Sequence, residues 1–334
     1  MNWSSLDWDA LDRLRAQFLG GVTPSTPYWK SPNDLATYDL TYGERIGWKW
    51  DAVLAELRLR RWAPPATERL RVFDWGCGSG IAGRRVVGWL GAESVASLSV
   101  WDHSPLARRF AVGRAREQFR ELAIHESTQA EAACDLLVVS HVLNELSPEE
   151  EQSLLKCFPQ AHAVLWVEPG THPVARALQR HRDNLRSAFR VVAPCTHQAD
   201  CGLLSPGNEH HWCHHFAPPP PGVHADGNWV RFGQRAGIDL RSLPYSFLVL
   251  DRQSTPNPHE PRDAPTARII GRPDAFKPYV RLLGCEKEGV HELSVMKRDC
   301  PALYKQLDRA RGPLLYRWQR NGDQILSGRP WPEE

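Results

Sequence analysis

The run Asp74-Trp75-Gly76-Cys77-Gly78-Ser79-Gly80 joins an acid to three glycines at alternating positions. Glycine lets backbone approach a ligand closely, because any side chain there would take up the ligand's space. A second acid, Asp102, follows Gly80 by 22 residues, where a carboxylate from the next strand can accept both hydroxyl protons of an adenosine ribose. His103 beside it and Ser140 at a later strand end complete the candidate cofactor contacts: Asp74, Gly76, Cys77, Gly78, Gly80, Asp102, His103 and Ser140. Two ligands compete for this loop. Gly78-Ser79-Gly80-Ile81-Ala82-Gly83 satisfies the G-x-G-x-x-G pattern of dinucleotide sites. An acid just before the first glycine opposes a pyrophosphate, but it suits the ammonium and sulfonium of S-adenosylmethionine. The methyl donor is therefore the preferred reading, and a ligand-free turn would leave Asp102 without a purpose.

A second chemical group is Cys195-x5-Cys201-x11-Cys213, with His197, His210, His211, His214 and His215 nearby. Three thiols in an aperiodic stretch are an odd way to build a core, whereas ligand bonds to a metal or cluster would clamp such a segment. Cys285, at the end of a late strand, is the expected fourth ligand, with Cys300 as runner-up. Four thiolates suit structural zinc or an iron-sulfur cluster, and the residues alone leave both open. Cys77, Cys134 and Cys157 lie in apolar surroundings and read as small buried hydrophobes. The absence of three cysteines packed into one short loop argues against radical chemistry on the donor.

Polar residues also mark Ser140-His141-Val142-Leu143-Asn144-Glu145-Leu146 and Glu168-Pro169-Gly170-Thr171. They face substrate, or else Asn144 and Thr171 merely cap helices. No general base stands out, and transfer from a sulfonium can proceed mainly by positioning. Arg176, Arg180, Arg182, Arg186 and Arg190, with Lys297, Arg298, Lys305, Arg309, Arg311, Arg317 and Arg320 toward the C-terminus, can neutralise RNA phosphates. An ordinary solvated helix face, balanced by Asp183 and Asp308, is the more economical reading.

Alternating strands and helices must position these groups. Leu70–Phe73 reads as a buried strand entering the glycine loop, followed by strands over Ser97–Trp101, Leu136–Ser140 and Ala163–Val167. Helices are expected from the loop to Leu90, from Pro105 to about Leu122, and from Pro148. Such alternation predicts a parallel sheet with ligands at the strands' carboxyl ends. Residues 1–69 read as an N-terminal helical region interrupted over Thr23–Asn33 and ended by Ala63-Pro64-Pro65-Ala66. Residues 70–193 form the donor-binding core and 194–237 the irregular Cys/His-rich segment. Residues 238–334 supply late core strands, Ser246–Leu250, Ala267–Ile270, Tyr279–Leu283 and Glu292–Met296, and a basic helix from Ala302 to about Arg311. The 334 residues suffice for one large core with additions. A net charge of +2 is weak for a protein held by phosphate attraction alone. No apolar run approaches the roughly 20 residues needed to cross a bilayer. No export or organelle signal is read near the N-terminus, so a cytoplasmic monomer with reduced thiols is expected.

Taken together, these motifs resemble the methyltransferase-like family of small-ribosomal-subunit assembly factors, known from mitochondria and with bacterial members. The resemblance runs from about Tyr42 to Arg311. It rests on the glycine loop, on Val142-Leu143-Asn144-Glu145-Leu146, on Glu168-Pro169-Gly170-Thr171, and on Pro194-Cys195 through Cys201 to Trp212-Cys213-His214. Phe232-Gly233-Gln234-Arg235, Tyr245–Leu250, Lys297-Arg298-Asp299 and Tyr304-Lys305 extend it. It implies an α/β, Rossmann-like seven-stranded methyltransferase fold with an N-terminal helical cap and a cysteine-rich metal-binding insertion. It further implies a 4Fe-4S cluster on Cys195, Cys201, Cys213 and Cys285, and binding to the small subunit's rRNA. The Pro-rich stretch between Cys213 and Gln234 departs from the family's more compact run. Two functions remain open at this point: an rRNA methyltransferase, or an assembly factor that binds rRNA without methyl transfer.

Overall fold

The computed structural model describes residues 3–19, 29–64, 68–252, 266–310 and 312–332. Residues 23–28 of the expected interruption, Pro65 and Ala66 of the helix break, and Arg311 lie outside them. Helices α1 (Trp8–Leu19), α2 (Pro32–Tyr38) and α3 (Glu44–Leu59) come first. There follow β1 (Leu70–Trp75), α4 (Ile81–Leu90), β2 (Val95–Trp101), α5 (Pro105–Gln118), β3 (Ala123–Glu126), β4 (Leu136–Ser140), α6 (Pro148–Cys157), β5 (Ala163–Pro169) and α7 (His172–Leu185). The remainder comprises β6 (Arg190–Ala193), β7 (His215–Phe216), α8 (Gly227–Ala236), β8 (Pro244–Asp251), β9 (Ala267–Ala275), β10 (Tyr279–Glu286), β11 (Gly289–Met296), α9 (Pro301–Asp308), β12 (Leu315–Asn321) and β13 (Gln324–Pro330). The chain divides into two compact units that interleave in sequence. One holds Met1–Leu54, Pro64–Val167 and Pro218–Leu243; the other holds Ala55–Ala63, Glu168–Ala217 and Pro244–Glu334.

In the first unit five strands run parallel in the order β3-β2-β1-β4-β5. Val72, Phe73, Val138, Val139, Leu165 and Trp166 are all buried, as strands covered on both faces require. Helix starts are set locally. Ser104 accepts from the Ala107 N–H ahead of Pro105, and Ser147 with Glu150 forms a capping box ahead of Pro148. Register places Asp74 opposite Val100 on one side and Val138 on the other, so the glycine loop leaves from the middle of the sheet.

Helix α8 corrects the expectation of an irregular 194–237 segment. Asp226 caps it by accepting from the N–H groups of Asn228 and Trp229, and Gly237 closes it at φ +62°. Its Phe232 and Ala236 pack with Leu11 and Leu240 in one apolar cluster, a tertiary contact invisible to a search for local periodicity.

The second unit pairs β6 and β7 antiparallel with β8. Its last five strands close into a barrel in the order β10-β11-β13-β12-β9. The expected late strands therefore form, but Ala267–Ile270, Tyr279–Leu283 and Glu292–Met296 build this barrel instead of lengthening the parallel sheet. The first unit thus holds five parallel strands, and the second holds β6, β7 and β8 besides the barrel. Burial explains the difference. Along β10, Val280 and Leu282 are buried while Arg281 between them is exposed, the alternation of a sheet with one apolar face. Ile269, Val280, Leu282, Leu293, Val295 and Ile325 fill the barrel.

Candidate functional site

Each glycine of the loop does a different job. Gly76 and Gly80 sit at φ +68° and +76°, and a Cβ on them would lie 2.7 Å from Val142 Cγ1 and 2.8 Å from Ala111 Cβ. Those two are needed for packing. Gly78, at φ +50°, has nothing within 4 Å of the same position, so its bare backbone faces open space where a ligand can lie. Asp74 ends β1 fully buried. Its Oδ2 accepts from the Gly83 N–H at 3.0 Å, while Oδ1 is buried with no hydrogen-bond partner among the described residues. Burial pushes its pKa up to about 7. A buried carboxylate oxygen without a donor is costly, and an ammonium group would satisfy it.

Asp102 is also buried. Its Oδ2 accepts from the Gly78 N–H at 3.0 Å and its Oδ1 from the Ser104 N–H at 2.8 Å, so it ties the glycine loop to the end of β2. Burial raises its pKa, with His103 opposing. His103, 40% exposed, places Nδ1 3.5 Å from Asp102 Oδ1. The Cys77 N–H donates to the Trp101 carbonyl, and its buried thiol is pushed up by burial, which makes it a packing group.

At the end of β4 a network appears that sequence reasoning missed. Lys49 Nζ lies 3.1 Å from His141 Nε2, His141 Nδ1 lies 3.3 Å from Ser140 Oγ, and Trp50 Nε1 donates to that same Oγ at 2.9 Å. Lysine has only protons to give, so Nε2 accepts and Nδ1 carries the hydrogen. Withdrawal from water, then the Lys49 charge, holds the imidazole pKa well below its usual value. His141 adopts φ +56°, left-handed without being glycine, a strain that the surrounding bonds maintain. With both ring nitrogens engaged, His141 fixes Ser140 against α3. Lys49 and His141 stand 92 residues apart, and nothing local in either segment signals the pairing.

In the second unit the predicted ligand cysteines lie near enough to influence one another's charge. Burial pushes the Cys201 thiol up to about 12, and Cys195 adds to it. Burial likewise raises Cys213, which Cys195, Cys201 and Cys285 raise further, and Cys285, which Cys195 and Cys201 raise further. Cys300 does not join them; its Sγ lies 3.4 Å from the Leu326 carbonyl. Cys213 Sγ is 3.6 Å from His215 Nε2, and Cys285 Sγ is 3.7 Å from His197 Nε2. Burial disfavours the charge on Arg182, but Cys195 and Asp183 more than compensate. Buried Arg268 responds to Glu56 and Cys213 in the same way. Two guanidiniums thus stand ready for thiolate charge. A tetrahedral zinc with bonds of about 2.3 Å holds its sulfurs about 3.8 Å apart. Separately, His210, His211 and Glu292 bring one ligand atom each within 4.8 Å of one another.

Most of the arginines from Arg176 to Arg190 are engaged by the protein itself. Arg176 donates from Nη1 to the carbonyls of Leu203, Asn208 and His211 at 2.8–3.0 Å, and Arg182 donates to the His197 carbonyl at 3.3 Å. Arg186 bonds Asp200 and Arg190 bonds Asp251. Arg176 and Arg182 thus staple the cysteine segment, Arg186 beyond the helix end bonds within it and Arg190 of β6 bonds β8, whereas Arg180 is exposed. Gly170 permits close approach of backbone, since a Cβ there would lie 2.6 Å from the Tyr245 nitrogen. Thr171 occupies the cap position of α7 without a side-chain cap bond, and Asn144 is exposed in a turn. Glu56 accepts from Arg268 at 2.6 and 2.7 Å and from Arg60 at 2.9 Å, a buried ion cluster spanning 212 residues that sequence reasoning also missed.

Comparison with solved structures finds distant likenesses. A candidate RNA methyltransferase from Pyrococcus horikoshii is 11% identical, over 72% of this chain and 97% of that one, with a TM-score of 0.36. The methyltransferase domain of bacterial CtHen1 is 13% identical, over 63% and 100%, at 0.38. Magnesium protoporphyrin IX methyltransferase from Synechocystis PCC 6803, with bound SAH, is 12% identical, over 74% and 100%, at 0.38. Similarity at this level is too distant to transfer an activity. No curated protein matches significantly. A family model does: that of the mitochondrial small ribosomal subunit protein Rsm22, over residues 73–314, a span that takes in the glycine loop, the four cysteines and most of the barrel. The chain therefore belongs to the Rsm22 family.

Proposed function

We propose that this protein binds S-adenosylmethionine in the cradle formed by Asp74, Gly78 and Asp102 and acts as a methyltransferase on RNA of the small ribosomal subunit. The observation that carries this reading is the buried, unpartnered Asp74 Oδ1 beside the open backbone of Gly78. An ammonium group satisfies the first and a nucleoside occupies the second. Asp102 orients the ribose, and its existing bonds to Gly78 and Ser104 hold its carboxylate in place beforehand. The donor supplies an electrophilic methyl group. The chain's own part is to bind it, align it and exclude water, because the described residues near β4 engage both nitrogens of His141. Membership of the Rsm22 family supports the small-subunit target.

Cys195, Cys201, Cys213 and Cys285 would hold a 4Fe-4S cluster. Membership of the Rsm22 family and the nearby guanidiniums of Arg182 and Arg268, which can balance thiolate charge, support this assignment. The cluster would clamp the 195–213 segment.

The test is transfer of labelled methyl to small-subunit RNA by protein purified without oxygen. Incorporation that Asp102→Asn abolishes is expected. Because Asp102 also tethers the glycine loop, Asn is preferred to Ala: it keeps an acceptor for one N–H while weakening the ribose contacts. If the protein binds donor and RNA yet never transfers label, the non-catalytic assembly-factor reading takes over.

A further inference from the structure

Counted from β9, the barrel closes in the order first, second, third, fifth, fourth, and back to the first. Helix α9 lies between the third and fourth strands, and the third runs parallel to the fifth through Ser294 and Gln324. This is the arrangement of an OB barrel, whose second and third strands and adjoining loops take oligonucleotides or oligosaccharides. Architecture alone assigns no ligand, so the surface must make the case.

The outward side of β10, the second strand, presents Tyr279 and Arg281, while Val280 and Leu282 point into the core. In the turn before it Phe276 is 41% exposed, one of two large apolar side chains exposed among the described residues. Phe276 and Tyr279 stack with centroids 4.8 Å apart and an interplanar angle of 23°. The Arg281 guanidinium sits 5.7 Å from the Phe276 centroid. In the loop after β11, Lys297 Nζ lies 5.3 Å from the Tyr304 ring. Two bonds lock these loops together: Tyr304 Oη donates to the Phe276 carbonyl and the Lys297 N–H to the Pro278 carbonyl, at 2.8 and 2.9 Å. Arg281 pairs with Asp274 at 3.6 Å in an exposed contact that is weak in water. Aromatic rings set among cations on a rigid sheet suit unpaired bases joined by phosphates, because every base has a face to stack and duplex bases do not. A neutral oligosaccharide would leave the cations unused.

We infer that this end of the barrel, built on Phe276, Tyr279, Arg281 and Lys297, is a docking site for single-stranded RNA. The choice of RNA over other polyanions rests on the function proposed above. Binding of a fluorescent 12-nucleotide polyuridine RNA to the full chain, followed by anisotropy, tests it. The wild type should bind the single strand at least about ten-fold more tightly than a hairpin duplex of equal length. Phe276→Ala should weaken binding by about five-fold or more, Phe276→Trp should restore it, and both should keep the wild-type unfolding midpoint. Equal binding by Phe276→Ala, or a preference for duplex, overturns the inference. Donor affinity measured on the same samples separates the two proposals. Phe276-dependent RNA binding without donor binding would sink the methyltransferase reading alone, whereas donor binding without single-strand binding would sink this one alone.

Discussion

Asp74 carries two loads at once. Its carboxylate receives one backbone N–H and leaves the other oxygen dry, so it holds a proton up to about pH 7. A folded-state pKa above the ordinary carboxylate value means that the folded protein binds the proton more tightly. The ionised form therefore costs stability, and that cost grows as pH rises from the unfolded value toward about 7. A cationic donor reverses the balance by pairing with the ionised acid. Donor affinity measured by calorimetry should accordingly increase from pH 6 to pH 8 and release a proton on binding, while Asp74→Asn should bind weakly with no such slope. A flat profile in the wild type would show that the ammonium does not contact Asp74. At the same scale, Glu56 shows what two guanidiniums do: burial alone would raise its pKa, but Arg268 and Arg60 bring it below the usual value.

At the scale of the element, the loop between β1 and α4 separates binding from packing. Gly78 and Gly80 both adopt left-handed backbone, which costs a residue with a Cβ about 1–2 kcal/mol. At Gly80 the added atom also meets Ala111, so Gly80→Ala should force α4 and α5 apart and lower the unfolding midpoint by more than Gly78→Ala does. At Gly78 the added methyl enters open space. Gly78→Ala should therefore keep the fold, losing only about 1–2 kcal/mol, and lose most of its donor binding. Equal donor affinity in Gly78→Ala would mean that the ligand lies elsewhere. The parallel-sheet elements are readable because their strands are short apolar runs and two of their helices, α5 and α6, begin with Ser-Pro caps. Helix α8 was passed over even though Asp226-Gly227 and Gly237 bracket it, because a stretch rich in Pro, His and Cys precedes it.

At the scale of the whole molecule, the 195–213 segment is held by several kinds of bond. Arginine-to-carbonyl bonds from α7 close it on one side, and its three thiols with Cys285 raise one another's pKa. Protein prepared without oxygen should be brown and carry about four irons per chain if those thiols hold the 4Fe-4S cluster. Cys213→Ser should bleach the visible absorption, and removal of the cluster should lower the unfolding midpoint, since metal-site bonds that exist only in the folded state add to its stability. Stoichiometric zinc and no iron would overturn the assignment. What the sequence determined by itself was whatever is written in consecutive residues: the alternation of strands and helices, the glycine loop with its acid, and Asp102 one strand later. The candidate thiols were also visible as residues, with Cys285 preferred to Cys300 for its place at the end of a late strand, while the preference for a cluster over zinc depended on family resemblance. Tertiary structure decided what depends on residues far apart in the chain. It turned the late strands into a closed barrel, directed Arg176 and Arg182 onto the cysteine segment, and joined Lys49 to His141 and Glu56 to Arg268. The physical reason is that an alternating strand, a basic helix or a lone buried ion specifies that it needs a partner surface, and only the folded chain supplies which one.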